Sequence, residues 1–198
     1  MMGEVAEYDP TTALIVVDVQ NDFADPSGSL YVRGGDEVVP VVNREIELAL
    51  DAGALVVYTQ DWHPESTAHF QKDGGIWPVH CVHGTWGADF HPDLKVDGEI
   101  VRKGTGGEDG YSGFTVRDPS TGAAEDTVLE SILRARGIER LVVLGLATDY
   151  CVKETALDGA AKGFDTVVLR DGIRAVDLHE GDGDRAIDEV EGAGVEVE

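Results

Sequence analysis

Apolar residues in this chain fall into short dense runs, separated by segments in which they recur every three or four positions. Residues 13–19 (A-L-I-V-V-D-V) are continuous except for one acid, as expected of a central parallel strand buried on both faces. Asp36 is placed as the cap of a helix running to about Leu50, with Val38, Val42, Ile46 and Leu50 on one face and Gly53 after its end. A second strand is expected over residues 54–59, and a third over 99–102, ending at Lys103 and a glycine-rich loop to Gly113. Residues 126–136 read as a helix closed by Gly137, and 141–146 as a strand. A short Ala-Thr-Asp turn then leads to a helix beginning near Cys151 and ending near Gly163. Residues 166–170 form a further strand, 182–191 a helix and 195–197 a closing edge strand. Strands that alternate with helices predict an α/β fold with a mostly parallel central sheet. No internal repeat or linker breaks the pattern, so residues 1–198 read as one domain.

Composition narrows the choice of partners. The chain carries 39 acidic against 15 basic residues, a formal charge of -24. Phosphate repulsion and the lack of a basic patch exclude nucleic acid as a partner. The acids are spread along the chain, which argues against a disordered acidic tail. Five lysines against ten arginines, on a carboxylate-covered surface, point to a salt-rich cytosol in which screening relieves self-repulsion. No stretch is long and apolar enough to span a membrane, and residues 1–10 lack a basic, apolar signal segment, so a soluble cytoplasmic protein is expected. Cys81 and Cys151 are too few for a disulfide framework and are read as thiols.

In an open α/β sheet the ligand crevice lies at the carboxyl ends of the strands. Asp18, Asp61, Lys103 and Cys151 all sit at or just past such ends. Cys151 falls where a strand hands over to a helix, within reach of unpaired backbone N–H groups that lower a thiol pKa and bind an oxyanion. Taken alone, it would be a small apolar residue of the core, and Asp18 with Lys103 would be an ordinary buried ion pair. Together they acquire roles. A carboxylate can take the thiol proton, and an ammonium keeps the carboxylate ionised and stabilises the thiolate.

A second cluster follows in a long irregular region, residues 61–95, of the kind that is usually functional. Asp61, His63, His69 and His80 offer imidazole and carboxylate ligands that suit Zn or Fe(II) with positions left open. His83 and His91 have no evident partner and are read as solvent-facing or structural. Phe23, Trp62, Trp77, Tyr111 and Tyr150 flank these groups. Aromatics usually fill core volume, but beside a nucleophile and a metal they suggest walls for a flat ring. Gly104, Gly106, Gly107 and Gly110 lack the Walker spacing and are read as a flexible loop that lets Lys103 approach the site.

These segments resemble the nicotinamidase (pyrazinamidase) branch of the isochorismatase-like cysteine hydrolases. The resemblance rests on A-L-I-V-V-D-V-Q-N-D-F around Asp18, D-W-H-P-E-S-T-A-H-F from Asp61 and W-P-V-H-C-V-H-G-T-W-G-A-D-F from Trp77. It continues through R-K-G and Y-S-G-F around Lys103 to G-L-A-T-D-Y-C-V at Cys151. It implies a three-layer αβα, doubly wound fold and hydrolysis of nicotinamide to nicotinate and ammonia, within NAD salvage. Cys151 would attack the carboxamide to form a thioester, with Asp18 as base and proton donor. Ala147 and Cys151 match the family's oxyanion hole, and Leu146-Ala147 its cis peptide bond. Asp61, His63 and His80 match ligands of one divalent metal, Zn first and Fe or Mn as alternatives, with His69 a fourth ligand in some members. Phe23 and Trp77 match ring-contacting residues. Tyr150 stands where some relatives carry histidine, which leaves the preference between nicotinamide and pyrazinamide open, as is homo-oligomerisation. The competing enzymatic reading is a metal-free relative such as an N-carbamoyl amidohydrolase. The non-enzymatic one is a zinc-binding scaffold.

Overall fold

A computed structural model describes residues 7–198. Residues 1–6, and with them part of the reading made of residues 1–10, lie outside the described residues. Six strands form one sheet: β1 (Thr12–Val17), β2 (Leu55–Asp61), β3 (Glu99–Lys103), β6 (Arg140–Leu146), β7 (Asp165–Arg174) and β8 (Glu196–Val197). Their order is β3-β2-β1-β6-β7-β8, and every neighbouring pair is parallel. β1 and β6 are buried along almost their whole length, which explains why both read as unbroken apolar runs. The helices are α1 (Asn21–Ala24), α2 (Gly35–Asp51), α3 (Leu129–Ala135), α4 (Lys153–Ala161) and α5 (Asp182–Gly192). α2 lies across β1, β2, β6 and β7 with Val38, Val42, Ile46 and Ala49 buried, while α4 packs on β6 and β7.

The chain winds outward from β1 in both directions, so the order reverses between β1 and β6. Ligands bind at such a switch point, beyond the carboxyl ends of the strands. Register brings the relevant ends level: Val17 pairs with Gly145 and Thr59, and Asp61 with Lys103. Gly145 has φ 119°, and a Cβ there would collide with the Val17 carbonyl, so β1 and β6 approach at a spacing that only glycine permits.

Several boundaries differ from expectation. Asp36 lies in the first turn of α2 rather than capping it, because Gly34 holds the cap position; the Asp36 carboxylate accepts from the Tyr31 hydroxyl. The expected helix over residues 126–136 begins only at Leu129. Residues before it form an antiparallel hairpin, β4 (Thr115–Arg117) with β5 (Ala124–Asp126), that short polar strands did not announce. β7 runs four residues past Arg170, to Arg174, after an irregularity against β6. The irregular region is pinned by isolated bridges, His63 to Val82 and Phe70 to Trp77.

Candidate active site

Asp18 leaves β1 with φ 47°, which turns its side chain back across the strand ends. One carboxylate oxygen accepts the Thr59 hydroxyl at 2.7 Å, and the other lies 2.8 Å from Lys103 Nζ. Lys103 projects from the last position of β3 into the same space. Its ammonium donates to the Tyr111 carbonyl at 2.7 Å and to Cys151 Sγ at 3.2 Å, and sits 3.3 Å from Asp61 Oδ1. All four side chains are buried. Sulfur, carboxylate and ammonium therefore converge as the sequence predicted.

Burial governs the charges. It pushes the Asp18 carboxyl up, against the pull of Lys103, and the second carboxylate, Asp61, pushes the same way. The Cys151 thiol is driven well above its ordinary value by burial, with Lys103 opposing and both carboxylates reinforcing. For Lys103 burial favours the neutral amine, but Asp18 and Asp61 outweigh it and hold the ammonium firmly charged. Asp61 is the reverse case: burial would raise it, yet Lys103 and His63 keep it well below the usual carboxylate range. An ammonium held toward its charged form thus faces Asp61, held toward its ionised form, and two groups, Asp18 and Cys151, whose protonated forms burial favours.

The helix carrying Cys151 starts earlier than expected. Thr148–Val152 form a π-turn, in which the Ala147 carbonyl accepts N–H groups from both Tyr150 and Val152. Asp149, read as a turn residue, is instead part of this helix. Its buried carboxylate accepts the backbone N–H groups of Val176 and Asp177, fastening the segment after β7 over the pocket. The Leu146-Ala147 peptide bond is cis.

The imidazoles of His63, His69 and His80 are all buried, with one ring nitrogen of each within 4.8 Å of the others. Asp61 Oδ2 lies 3.5 Å from His63 Nε2 and 3.8 Å from His80 Nε2. His80 Nδ1 donates to the Pro78 carbonyl at 2.8 Å, which leaves Nε2 as a lone-pair donor. Burial lowers His80 to about 4, with Asp61 partly offsetting it, so its ring is neutral, as a metal ligand must be. Neither His63 nitrogen has a hydrogen-bond partner among the described residues. An unpaired buried polar atom costs about 1–3 kcal/mol. A cation among three imidazoles and a carboxylate would give one of these two nitrogens a partner, so the donor set fits a divalent metal.

A narrow pocket connects the two clusters, with Cys151 at one side of its lining and Asp61, His69 and His80 at the other. Phe23, Trp77, Tyr111 and Tyr150 line it, as expected; Val32 and Val176 add apolar surface. Trp77 Nε1 donates to the Tyr111 hydroxyl at 3.1 Å, and Trp77 meets Tyr150 edge to face at 4.9 Å. Trp62 is not part of this wall, because Arg102 stacks on its ring at 4.0 Å. His83 is exposed, and His91 Nδ1 accepts the Asp93 N–H. The glycine-rich loop does more than free Lys103. A Cβ on Gly104 would stand 2.6 Å from His63 Nδ1, so the loop packs directly against an ion-site residue.

Residues with no catalytic look hold this geometry. Gln20 donates to the Asp61 and Ala88 carbonyls and accepts the Asp61 N–H, locking the strand end from both sides. Asp22 accepts the Cys81 N–H, and Asp109 pairs with His69 Nδ1 at 2.6 Å. Only the buried-polar cost of residues such as Gln20 and Asp22, directly after an apolar strand, could have flagged them.

A buried thiol, carboxylate and ammonium at the switch point of a parallel sheet, beside a cluster of three buried histidines, define an α/β protein with the side-chain set of a cysteine hydrolase. The Isochorismatase domain family model matches residues 12–198, and the chain belongs to that family. It is 37% identical over 203 residues to the nicotinamidase of Escherichia coli, covering 93% of each chain. Among solved structures it is similar to the pyrazinamidase of Pyrococcus horikoshii in complex with zinc, with TM-score 0.85 and 42% identity over 96% of this chain and 99% of that one. PnC1 from L. infantum in complex with nicotinate gives TM-score 0.86 and 36% identity over 98% and 95%.

Proposed function

We propose that this protein is a nicotinamidase, a metal-containing cysteine amidohydrolase that converts nicotinamide to nicotinate and ammonia. The observation that carries the reading is the Lys103 ammonium, held within 3.3 Å of Cys151, Asp18 and Asp61, with Cys151 and Asp61 themselves lining the aromatic pocket. The nicotinamidase and pyrazinamidase relatives support the same substrate class, and pyrazinamide is the second amide expected to react.

Asp18 takes the Cys151 proton as sulfur bonds to the carboxamide carbon. The oxygen that gains charge is received by the N–H groups of Ala147 and Cys151. As the C–N bond breaks, Asp18 returns the proton to nitrogen and ammonia leaves a thioester. Water then gives a proton to Asp18 and attacks that carbon; the C–S bond breaks and the thiol is restored. Such a base must accept and return one proton per half-reaction, which its raised affinity for protons suits. Asp61, His63, His69 and His80 would hold the divalent ion, for which zinc is our first assignment and iron or manganese the alternatives. Bound there, the ion would supply an electrophile for the ring nitrogen and so orient the substrate.

Ammonia release from nicotinamide, pyrazinamide and an N-carbamoyl amino acid, with elemental analysis of the same sample, tests this. Turnover of the two aromatic amides by ion-loaded protein is expected. Turnover of the N-carbamoyl compound alone would replace the reading with the metal-free one. We also propose that the whole chain acts as one domain, supported by a single core cluster running from Ala13 to Val195. Among the described residues no helix is long and apolar enough to cross a membrane. A salt-rich cytoplasm is our proposal for the charge of -24, and thermal stability that is the same in dilute and concentrated KCl would refute it.

A further inference from the structure

The segment from Gly104 to Tyr111 touches the histidine-bearing region at three places, two of them ion-site residues. Gly104 packs on His63, and the Gly107 carbonyl accepts the Thr67 hydroxyl at 3.1 Å. Asp109 Oδ1 lies 2.6 Å from His69 Nδ1. Asp109 is itself immobilised. Its backbone exchanges two hydrogen bonds with Arg117 on β4, and its Oδ1 also accepts the Gly110 N–H at 2.8 Å. The same segment supplies the Tyr111 carbonyl to Lys103 and the Tyr111 hydroxyl to Trp77.

We propose that Asp109 is a positioning residue for the ion site: its carboxylate accepts the His69 Nδ1–H, fixes the tautomer and aims Nε2 at the ion. A carboxylate can only accept here, so the shared proton sits on Nδ1 and the lone pair on Nε2. His80 is set the same way by the Pro78 carbonyl, but that acceptor is neutral. Asp109 therefore holds His69 by a short hydrogen bond to an anion, where His80 has only a neutral acceptor, and brings His69 into the set. The hairpin β4–β5 gains a purpose, because it anchors Asp109 from outside the sheet. The inference rests on the proposed ion site.

The test is Zn²⁺ affinity, measured by competition with a chromophoric chelator, for the intact protein and its Asp109→Ala, Asp109→Asn, His69→Ala and double Asp109→Ala/His69→Ala variants. Asp109→Ala should weaken Zn²⁺ roughly 10–100-fold, in line with losses at other outer carboxylates. Asp109→Asn should fall between, since its amide oxygen still accepts. In the His69→Ala background the Asp109 change should have no further effect, because the two act as one unit. Undiminished affinity in Asp109→Ala, or an equal loss with His69 already removed, overturns the proposal while leaving the ion site standing. No Zn²⁺ binding by the unaltered protein would instead remove the ion site itself. Melting temperatures measured without metal identify any variant whose loss comes from unfolding.

Discussion

The two halves of the pocket are built by different means. The thiol corner takes Lys103 from the end of β3, Asp18 from just past β1 and Cys151 from the turn that follows β6, so sheet register sets the frame on which they meet. The imidazole corner takes His63, His69 and His80 from an irregular segment, where side-chain bonds from Gln20, Asp22 and Asp109 replace a ladder. Chemistry that tolerates little misplacement rests on the rigid part, and orientation rests on the part that polar bonds hold. The corners should therefore fail differently when perturbed.

Cys151→Ala should fail hardest, losing about 10⁴-fold or more in kcat while keeping folding and ion content. Ammonia release close to the unaltered rate would remove the thiol from the reaction. Asp18→Asn should lose on the order of 10³-fold, because the amide cannot shuttle the proton. Near-normal turnover there would mean that another group is the base. Stripping the ion with a chelator should cost roughly 10²-fold in kcat/KM through lost orientation. Iodoacetamide should still alkylate Cys151 at an unchanged rate; a large change would show that the corners are one unit.

A gentler probe reads the thiol corner alone. Burial and two carboxylates raise the Cys151 pKa and only Lys103 lowers it, so the net sign is upward. The alkylation rate should climb with pH to a midpoint above that of an ordinary thiol, about 8.5. A midpoint well below it would mean that Lys103 outweighs burial. The smallest effect on rate is expected of Asp149→Ala, which leaves two backbone N–H groups near the pocket unpaired. Stability should fall by about 1–3 kcal/mol with ion affinity intact, as read by urea titration. A collapse of kcat would instead place Asp149 in the machinery.

What could be read in advance follows the same division. Strand-end residues were legible because unbroken apolar runs mark buried parallel strands, and topology fixes where such runs end. Asp18 stands out since burying charge without purpose is costly, and Lys103 because it closes an expected strand. The hairpin before α3 was hidden because its strands, T-V-R and A-E-D, are short and polar and carry no alternation to detect. The partners of the histidines were hidden for another reason: Asp109 and His69 are forty residues apart, and nothing local joins them. Trp62 shows the opposite error, a residue of the right type and neighbourhood whose ring packs under the Arg102 guanidinium instead of lining the pocket.

Position 145 sets how closely β1 and β6 can pair beneath Asp18 and Cys151. With no side chain between them, two neighbouring strands can deliver a sulfur and a carboxylate to one small volume. A single added methyl would act as a wedge, spreading the attacking and proton-accepting groups before it altered either of them. For this sheet the smallest residue is the one that decides whether the largest chemical event can occur.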